Sequence, residues 1–113
     1  MQFEEQQQQG VLIVRPLERR LDAAVTQEFK LFMAEKVQAG HRVIALDLGD
    51  VDFVDSSGLG GIISLLKSLG DSGAIAVFGA DTNVRSLFRL TRMDRIVPMV
   101  ATVEEALVEL TTA

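Results

Sequence analysis

The apolar positions of the chain fall into short continuous runs separated by stretches with helical spacing. The runs are rich in β-branched residues and predict strands at 10–17, 42–48, 74–79 and 95–100. The runs at 42–48 and 74–79 are almost continuously apolar, which is typical of strands covered on both faces. Residues 1–5 predict a preceding edge strand, and the glutamine run at 6–9 predicts the turn that follows it. Pro98 places the last strand at an edge of the sheet.

Helical spacing of apolar residues predicts four helices between and after these strands. Asp22 is expected to cap the first, and Asp81 the third. Thr102 and Glu105 predict a capping box for the last. The helices are expected at about 22–39, at about 56–69, from 82 onward, and from about 103 to 110.

The resulting order of elements is ββαβαβαβα. Helices that alternate with buried strands imply crossover connections, and therefore a mostly parallel sheet. At 113 residues the chain is expected to form one domain, 1–113. The predicted fold class is α/β, with a mixed, mostly parallel sheet of four or five strands and about four helices packed around it.

Charge and composition exclude several classes of function. The net charge is −5, which argues against nucleic acid as the main partner and against docking on an anionic membrane. The chain has no cysteine, so disulfides, thiolate zinc sites and thiol catalysis are excluded. Its first residues do not resemble a secretory signal, and its apolar runs are too short for a membrane span. A cytoplasmic location is expected.

The segment VDFVDSSGLGG, residues 51–61, carries the most unusual chemistry. Two serines follow an aspartate and lead into three glycines at the start of a predicted buried helix. A helix cap accounts for one polar residue and contributes about 1 kcal/mol. Each glycine costs up to about 1 kcal/mol in a helix, so three of them indicate a need for open space around Ser56 and Ser57.

Three other interpretations of this segment fail on spacing. A catalytic serine would need a nucleophile elbow and a base, but the elbow is absent and the only histidine is His41. Neither glycine-rich nucleotide fingerprint is present. Val54 interrupts the EF-hand spacing of the nearby aspartates, so no metal site is predicted. The free N–H groups of a helix N-terminus would instead tolerate a phosphate on a serine.

The segment D-x-x-D-S-S-G-L-G, entered from an apolar strand and continued by a helix, resembles the STAS family, specifically the bacterial anti-anti-sigma factors (anti-sigma factor antagonists). The resemblance extends over essentially the whole chain, with weaker points in VLIVRPLERRLDAA and LFRLTRMDRIV. It implies a STAS fold and a binding module that is not an enzyme and needs no cofactor or metal.

The resemblance also implies roles for individual residues. Ser56 matches the serine that a partner kinase, which is also the anti-sigma factor, phosphorylates. The unphosphorylated protein would bind this GHKL-type kinase, the phosphorylated protein would release it, and a PP2C-type phosphatase would reset the cycle. The residues expected to contact a partner are Asp22, Asp55, Ser57, Gly58, Leu59 and Gly60.

This sequence departs from the family pattern at three places. Arg19 replaces a glycine that usually precedes the first helix, Arg92-Met93 replaces a late Gly-Leu turn, and Gly61 replaces a larger apolar residue. These departures concern the identity of the partner. A further possibility is a second contact surface for an acidic partner, made by a stripe of arginines if the third helix extends far enough; its residues are Arg85, Arg89, Arg92 and Arg95. A solvated helix face is the alternative explanation of that stripe.

Three other functions are compatible with the resemblance. STAS-like subunits can pair with the ATPase of a lipid-transport complex, and STAS domains form the tails of anion transporters. Related partner switches control secretion, motility or cyclic-dinucleotide synthesis instead of a sigma factor. The intact DSSG segment favours the phosphorylated switch over the structural subunit, and the absence of an apolar membrane segment argues against the transporter tail.

Overall fold

Seven strands and four helices follow one another in the computed structural model, which describes residues 1–112. The strands are β1 (Phe3–Gln8), β2 (Val11–Pro16), β3 (Arg20–Leu21), β4 (Val43–Asp47), β5 (Phe53–Val54), β6 (Ala74–Phe78) and β7 (Met99–Val100). The helices are α1 (Thr26–Gln38), α2 (Ser56–Leu69), α3 (Thr82–Leu90) and α4 (Val103–Thr111), with short 3-10 turns at Gly70–Ser72 and Met93–Arg95.

The main sheet has five strands in the order β1-β2-β4-β6-β7. β1 pairs with β2 in the antiparallel direction, and the other neighbours are parallel. The prediction of a mixed, mostly parallel sheet with four helices is therefore confirmed. β3 and β5 form a separate parallel pair, in which Leu21 lies opposite Val54.

Both faces of the sheet are covered, which explains the continuous apolar runs of β4 and β6. One face packs against α1, α2 and α3 and holds the larger core, around Ile44, Leu46 and Phe29. The other face is smaller and packs against α4, where Ala45 and Ala76 lie beneath Leu107. Among residues 1–112 no helix is long and apolar enough to cross a membrane.

The hairpin between β1 and β2 turns later than the sequence suggested. Gln9 and Gly10 form the turn, with φ values of 53° and 78°, and β1 continues through Gln8. Two successive residues with positive φ match the twist of a tight hairpin. The prediction that residues 6–9 form the turn is therefore wrong, since glutamines 6–8 occupy an exposed edge strand.

The first helix also begins later than predicted. α1 starts at Thr26, and its N-cap residue is Val25, which makes no side-chain cap. Asp22 instead closes the preceding turn, because its Oδ1 accepts a hydrogen bond from the Ala24 N–H at 3.0 Å. The Thr26 hydroxyl donates to the Asp22 carbonyl oxygen at 2.7 Å. Asp22 therefore fixes the entry to α1 without capping it.

Candidate functional site

Ser56 is the first residue of α2 and is exposed. The preceding residue, Asp55, has extended backbone angles and accepts a hydrogen bond on Oδ1 from the Gly58 N–H at 3.0 Å. This is the usual N-cap arrangement, which satisfies one of the N–H groups that a helix leaves unpaired at its start. Within residues 1–112 the Ser56 hydroxyl makes no hydrogen bond, and the residue is open to solvent.

Gly58 brings the loop before α1 into direct contact with the first turn of α2. A β-carbon at this position would overlap the carbonyl oxygen of Leu21 and stand 3.0 Å from Cγ1 of Val54. The Asp55 N–H also donates to the Leu21 carbonyl oxygen, at 3.3 Å. The β3–β5 pair and this close approach together place Asp22 beside the start of α2.

The three glycines of the segment have three different roles. Gly58 is required by the close approach of Leu21, and a β-carbon added at Gly61 would lie 3.2 Å from a ring carbon of Phe29. Only around Gly60 is there open space, with nothing within 4 Å of an added β-carbon. The expectation that all three glycines uncover the serines therefore holds for Gly60 alone.

The open space at Gly60 belongs to a groove between α1 and α2. The groove has a volume of about 330 Å³ and is lined by Ala23, Thr26, Gln27, Lys30, Ser57 and Gly60. Ser57 is half-buried on its wall, whereas Ser56 stands outside it at the helix end. The helix end thus presents the Ser56 hydroxyl next to a groove that is lined by small residues together with Gln27 and Lys30.

Two of the residues expected to contact a partner lie in the interior. Gly58 is buried, and the side chain of Leu59 is 8% exposed and belongs to the core. Both residues pack beneath the surface and are not accessible to a binding partner. Asp22, Asp55, Ser57 and Gly60 are partly exposed, and the structure places these four around Ser56.

Arginines from β3 and the residue before it balance the acidic groups near Ser56. Arg19 holds Asp52 through Nε at 3.0 Å and Nη2 at 2.7 Å, and this hydrogen bond raises the pKa of the Arg19 guanidinium. Arg20 contacts Asp22 at 3.2 Å and lies over the ring of Phe53, 3.9 Å from its centroid. The ion pairs of these two arginines were not predicted, because strands as short as β3 and β5 leave no periodic signal in the sequence.

The aspartates around the segment each have a separate partner. The side chain of Asp47 accepts from the Gly49 N–H at 2.8 Å, and Asp50 is paired with Arg15. Asp52 pairs with Arg19, and Asp55 caps α2. Across residues 1–112 no group of three or more acidic or histidine side chains is arranged to hold a metal ion.

His41 lies far from Ser56 along the fold. It follows α1 and precedes β4, whereas Ser56 follows the opposite, carboxyl end of β4 by way of β5. Since the sequence contains no other histidine, no imidazole stands beside the Ser56 hydroxyl. The local geometry therefore leaves the Ser56 hydroxyl exposed and without an imidazole base beside it.

The predicted arginine stripe is not a continuous helical stripe. α3 ends at Leu90, so only Arg85 and Arg89 lie on it. Arg92 has a φ of 62° in the turn that follows, and Arg95 ends the short 3-10 turn. The condition attached to the stripe, that the helix extend to Arg95, is not met.

Comparison with known proteins agrees with this architecture. A protein-family model described as STAS domain matches residues 2–106. The chain belongs to the STAS domain family. The resemblance deduced from the DSSG segment is thereby confirmed.

Several STAS relatives are similar over nearly their full length. An anti-sigma F factor antagonist from Paenibacillus polymyxa is 33% identical over 112 residues, which cover 97% of this chain and 95% of the relative. The crystal structure of a candidate anti-sigma factor antagonist from Thermotoga maritima is 32% identical and has a TM-score of 0.88, with coverage of 96% and 93%. The unphosphorylated form of the anti-sigma factor antagonist SpoIIAA shares the fold at 18% identity, with a TM-score of 0.71 and coverage of 96% of both chains.

Proposed function

We propose that this STAS domain is an anti-sigma factor antagonist controlled by phosphorylation of Ser56. The unphosphorylated chain binds an anti-sigma factor that is also a GHKL-type serine kinase. Phosphorylation releases that partner, and a PP2C-type phosphatase restores the binding form. The observation that carries the proposal is the exposed Ser56 hydroxyl at the first position of α2, beside an open groove.

In the phosphoryl transfer this chain supplies only the nucleophile. The Ser56 hydroxyl oxygen attacks the γ-phosphorus of ATP bound in the kinase, and the bond from that phosphorus to the bridging oxygen breaks. The products are phosphoserine and ADP, and the hydroxyl proton passes to a base of the kinase. Asp55 fixes the helix end, because its Oδ1 holds the Gly58 N–H, so the chain supplies a positioned nucleophile and the kinase supplies the catalysis.

A phosphate at Ser56 would alter docking much more than folding. It brings about −1.5 to −2 charges, which the unpaired N–H groups and partial positive charge of a helix N-terminus accommodate. Arg19 and Arg20 are already paired with Asp52 and Asp22. Neither arginine is therefore free to neutralise the new dianion, which adds to the negative charge of Asp55. A partner fitted to the neutral hydroxyl would have to bury this charge, which weakens binding.

The relatives support the same role. The Paenibacillus polymyxa protein is named an anti-sigma F factor antagonist, and it is 33% identical to this chain. SpoIIAA of Bacillus, which shares the fold at 19% identity, has been solved in a phosphorylated form as well as an unphosphorylated one. A modified state is therefore compatible with this architecture in another member of the family.

Mass spectrometry after treatment with a GHKL-type kinase of the same organism and ATP tests the proposal. We expect one phosphate on the wild-type chain, mapped to Ser56, and none on Ser56→Ala. Ser57→Ala is the matched control, because it removes the neighbouring, half-buried hydroxyl from the same helix turn and should still be phosphorylated. Phosphate on Ser57 in the wild-type chain, or undiminished incorporation into Ser56→Ala, would overturn the assignment.

A further inference from the structure

A second surface stands apart from the site at Ser56. We define it as the basic ridge, made by α3 and the turn after it, with the residues Arg85, Arg89, Leu90, Arg92, Arg95 and Ile96. Four of the chain's 11 basic residues lie here, within residues 85–95, and the only acidic residue in that range is Asp94. The ridge is therefore a positive region on a chain whose net charge is −5.

The arginines of the ridge are not neutralised by the chain itself. Within residues 1–112 no carboxylate lies within 4 Å of any of the four guanidinium groups, whereas Arg15, Arg19 and Arg20 each hold an aspartate. Arg85 and Arg89 make only weak contacts, at 3.4 Å, with hydroxyls on their own helix. Their donors are available to an external anion.

Apolar side chains lie among these charges. Leu90 is 81% exposed and Ile96 is 52% exposed. They follow Arg89 and Arg95 directly in the sequence. Arginine is enriched at protein contact surfaces, where exposed apolar side chains such as these become buried.

The backbone of the ridge is held in an unfavourable conformation at Arg92. Its φ of 62° is left-handed, a region that usually takes glycine at the end of a helix. A side chain there costs about 1–2 kcal/mol. The chain carries a charged residue at a position where glycine would be more stable, and such positions are often functional.

The end of the ridge is remote from Ser56. α2 and α3 both begin at the carboxyl ends of parallel strands, since α3 follows β6 and α2 follows β4 by way of β5. α3 then runs back along the sheet and leads into β7, which is parallel to β6. Leu90, Arg92 and Ile96 therefore lie near the amino ends of the strands, and Ser56 lies at the carboxyl ends.

We propose that the basic ridge is a second docking surface, which binds an acidic protein segment carrying apolar side chains between its carboxylates. The guanidinium groups pair with the carboxylates, and Leu90 and Ile96 bury the apolar side chains. Because Leu90, Arg92 and Ile96 lie at the other end of the sheet from Ser56, binding at this end of the ridge does not depend on the state of Ser56. This surface goes beyond the proposed switch and does not require it.

Charge complementarity favours an acidic protein over nucleic acid. The phosphates of a nucleic acid could pair with the arginines, but its backbone would leave the side chains of Leu90 and Ile96 without apolar partners. An acidic segment with leucine-like side chains satisfies both kinds of group on the ridge. It also uses the bidentate geometry with which arginine binds carboxylates.

Titration of the isotope-labelled chain with a short synthetic peptide of glutamate and leucine tests the proposal, with backbone amide shifts as the readout. We expect shifts concentrated at residues 85–96. Arg89→Glu/Arg92→Glu should weaken binding by about tenfold or more. The matched control is Arg42→Glu/Lys67→Glu, which changes the net charge equally at two exposed sites elsewhere and should bind nearly as well as the wild type.

Four further measurements test the alternative explanations. Leu90→Ser/Ile96→Ser keeps the charge and should also weaken the peptide complex, whereas Ser56→Asp should leave its affinity unchanged. Equal loss of affinity in the Arg42→Glu/Lys67→Glu control, tighter binding of a DNA duplex than of the peptide, or self-association through residues 85–96 in sedimentation would each overturn the proposal. Because no kinase is present, the outcome is independent of whether Ser56 is the phosphoacceptor.

Discussion

The carbonyl oxygen of Leu21 occupies the space that a side chain on Gly58 would need. This contact joins the loop before α1 to the first turn of α2 without any intervening atoms. It also explains why a glycine stands in the third position of a helix, where it is unfavourable by intrinsic propensity. The geometry around Ser56 therefore depends on a residue that is itself buried.

Gly58→Ala should destabilise the domain strongly. The added methyl group overlaps backbone atoms of Leu21, which cannot rotate away as a side chain would, so we expect a loss of about 2–4 kcal/mol in the free energy of unfolding. Urea denaturation monitored by circular dichroism measures the change. Gly60→Ala is the matched control in the same helix. Nothing lies within 4 Å of its added methyl, and it should gain up to about 1 kcal/mol. Equal stability of the two variants would contradict the role assigned to Gly58.

The segment at 51–61 shows how far sequence reasoning reaches. The bounds of α2 were predicted because the helix has a strong apolar stripe, an aspartate before it and a glycine after it, and the structure has the same bounds. The separate functions of Gly58, Gly60 and Gly61 were not predictable, since each depends on atoms that are distant along the chain. Spacing alone indicates that a glycine is needed, and not which neighbour requires it.

The errors elsewhere have the same physical origin. Asp22 has the residue type of an N-cap, yet the chain first makes an extra turn, which Asp22 closes by accepting hydrogen bonds from Ala24 and Thr26. Arg92 continues a helical spacing from Arg85, but α3 ends at Leu90 and the backbone reverses. Local patterns identify elements well, whereas their ends are decided by tertiary contacts.

Asp55→Ala should cost about 1 kcal/mol of stability through loss of the α2 cap. Asp81→Ala is a matched control, because Asp81 caps α3 in the same way, by accepting from the Val84 N–H at 2.9 Å. Both variants should be destabilised equally in thermal or urea unfolding. Only Asp55→Ala should slow phosphorylation of Ser56, since it loosens the helix end that positions the hydroxyl. Slower phosphorylation of Asp81→Ala as well would show that general stability controls the reaction.

Arg92→Gly should raise stability by about 0.5–1 kcal/mol, because glycine adopts the left-handed conformation without steric cost and loses only part of that gain to chain entropy. Arg89→Gly removes the same charge from within α3 and should instead lower stability by about 1 kcal/mol. Chemical denaturation of both variants measures the difference. A loss of stability in Arg92→Gly would mean that the Arg92 side chain stabilises the fold in a way that its exposure does not suggest.

Ser56→Asp should weaken the complex with the anti-sigma factor by about tenfold or more while leaving the fold intact. A carboxylate at the start of a helix is favoured by the helix dipole, so the melting temperature should stay within a few degrees of the wild type. The same charge enters a surface that already holds Asp22 and Asp55, and a partner would have to bury it. Ser56→Asn is the matched control, because asparagine has nearly the same shape as aspartate and no charge. Its affinity for the purified anti-sigma factor, measured by calorimetry, should lie much closer to that of the wild type. If the two variants bound equally weakly, shape and not charge would control docking at Ser56.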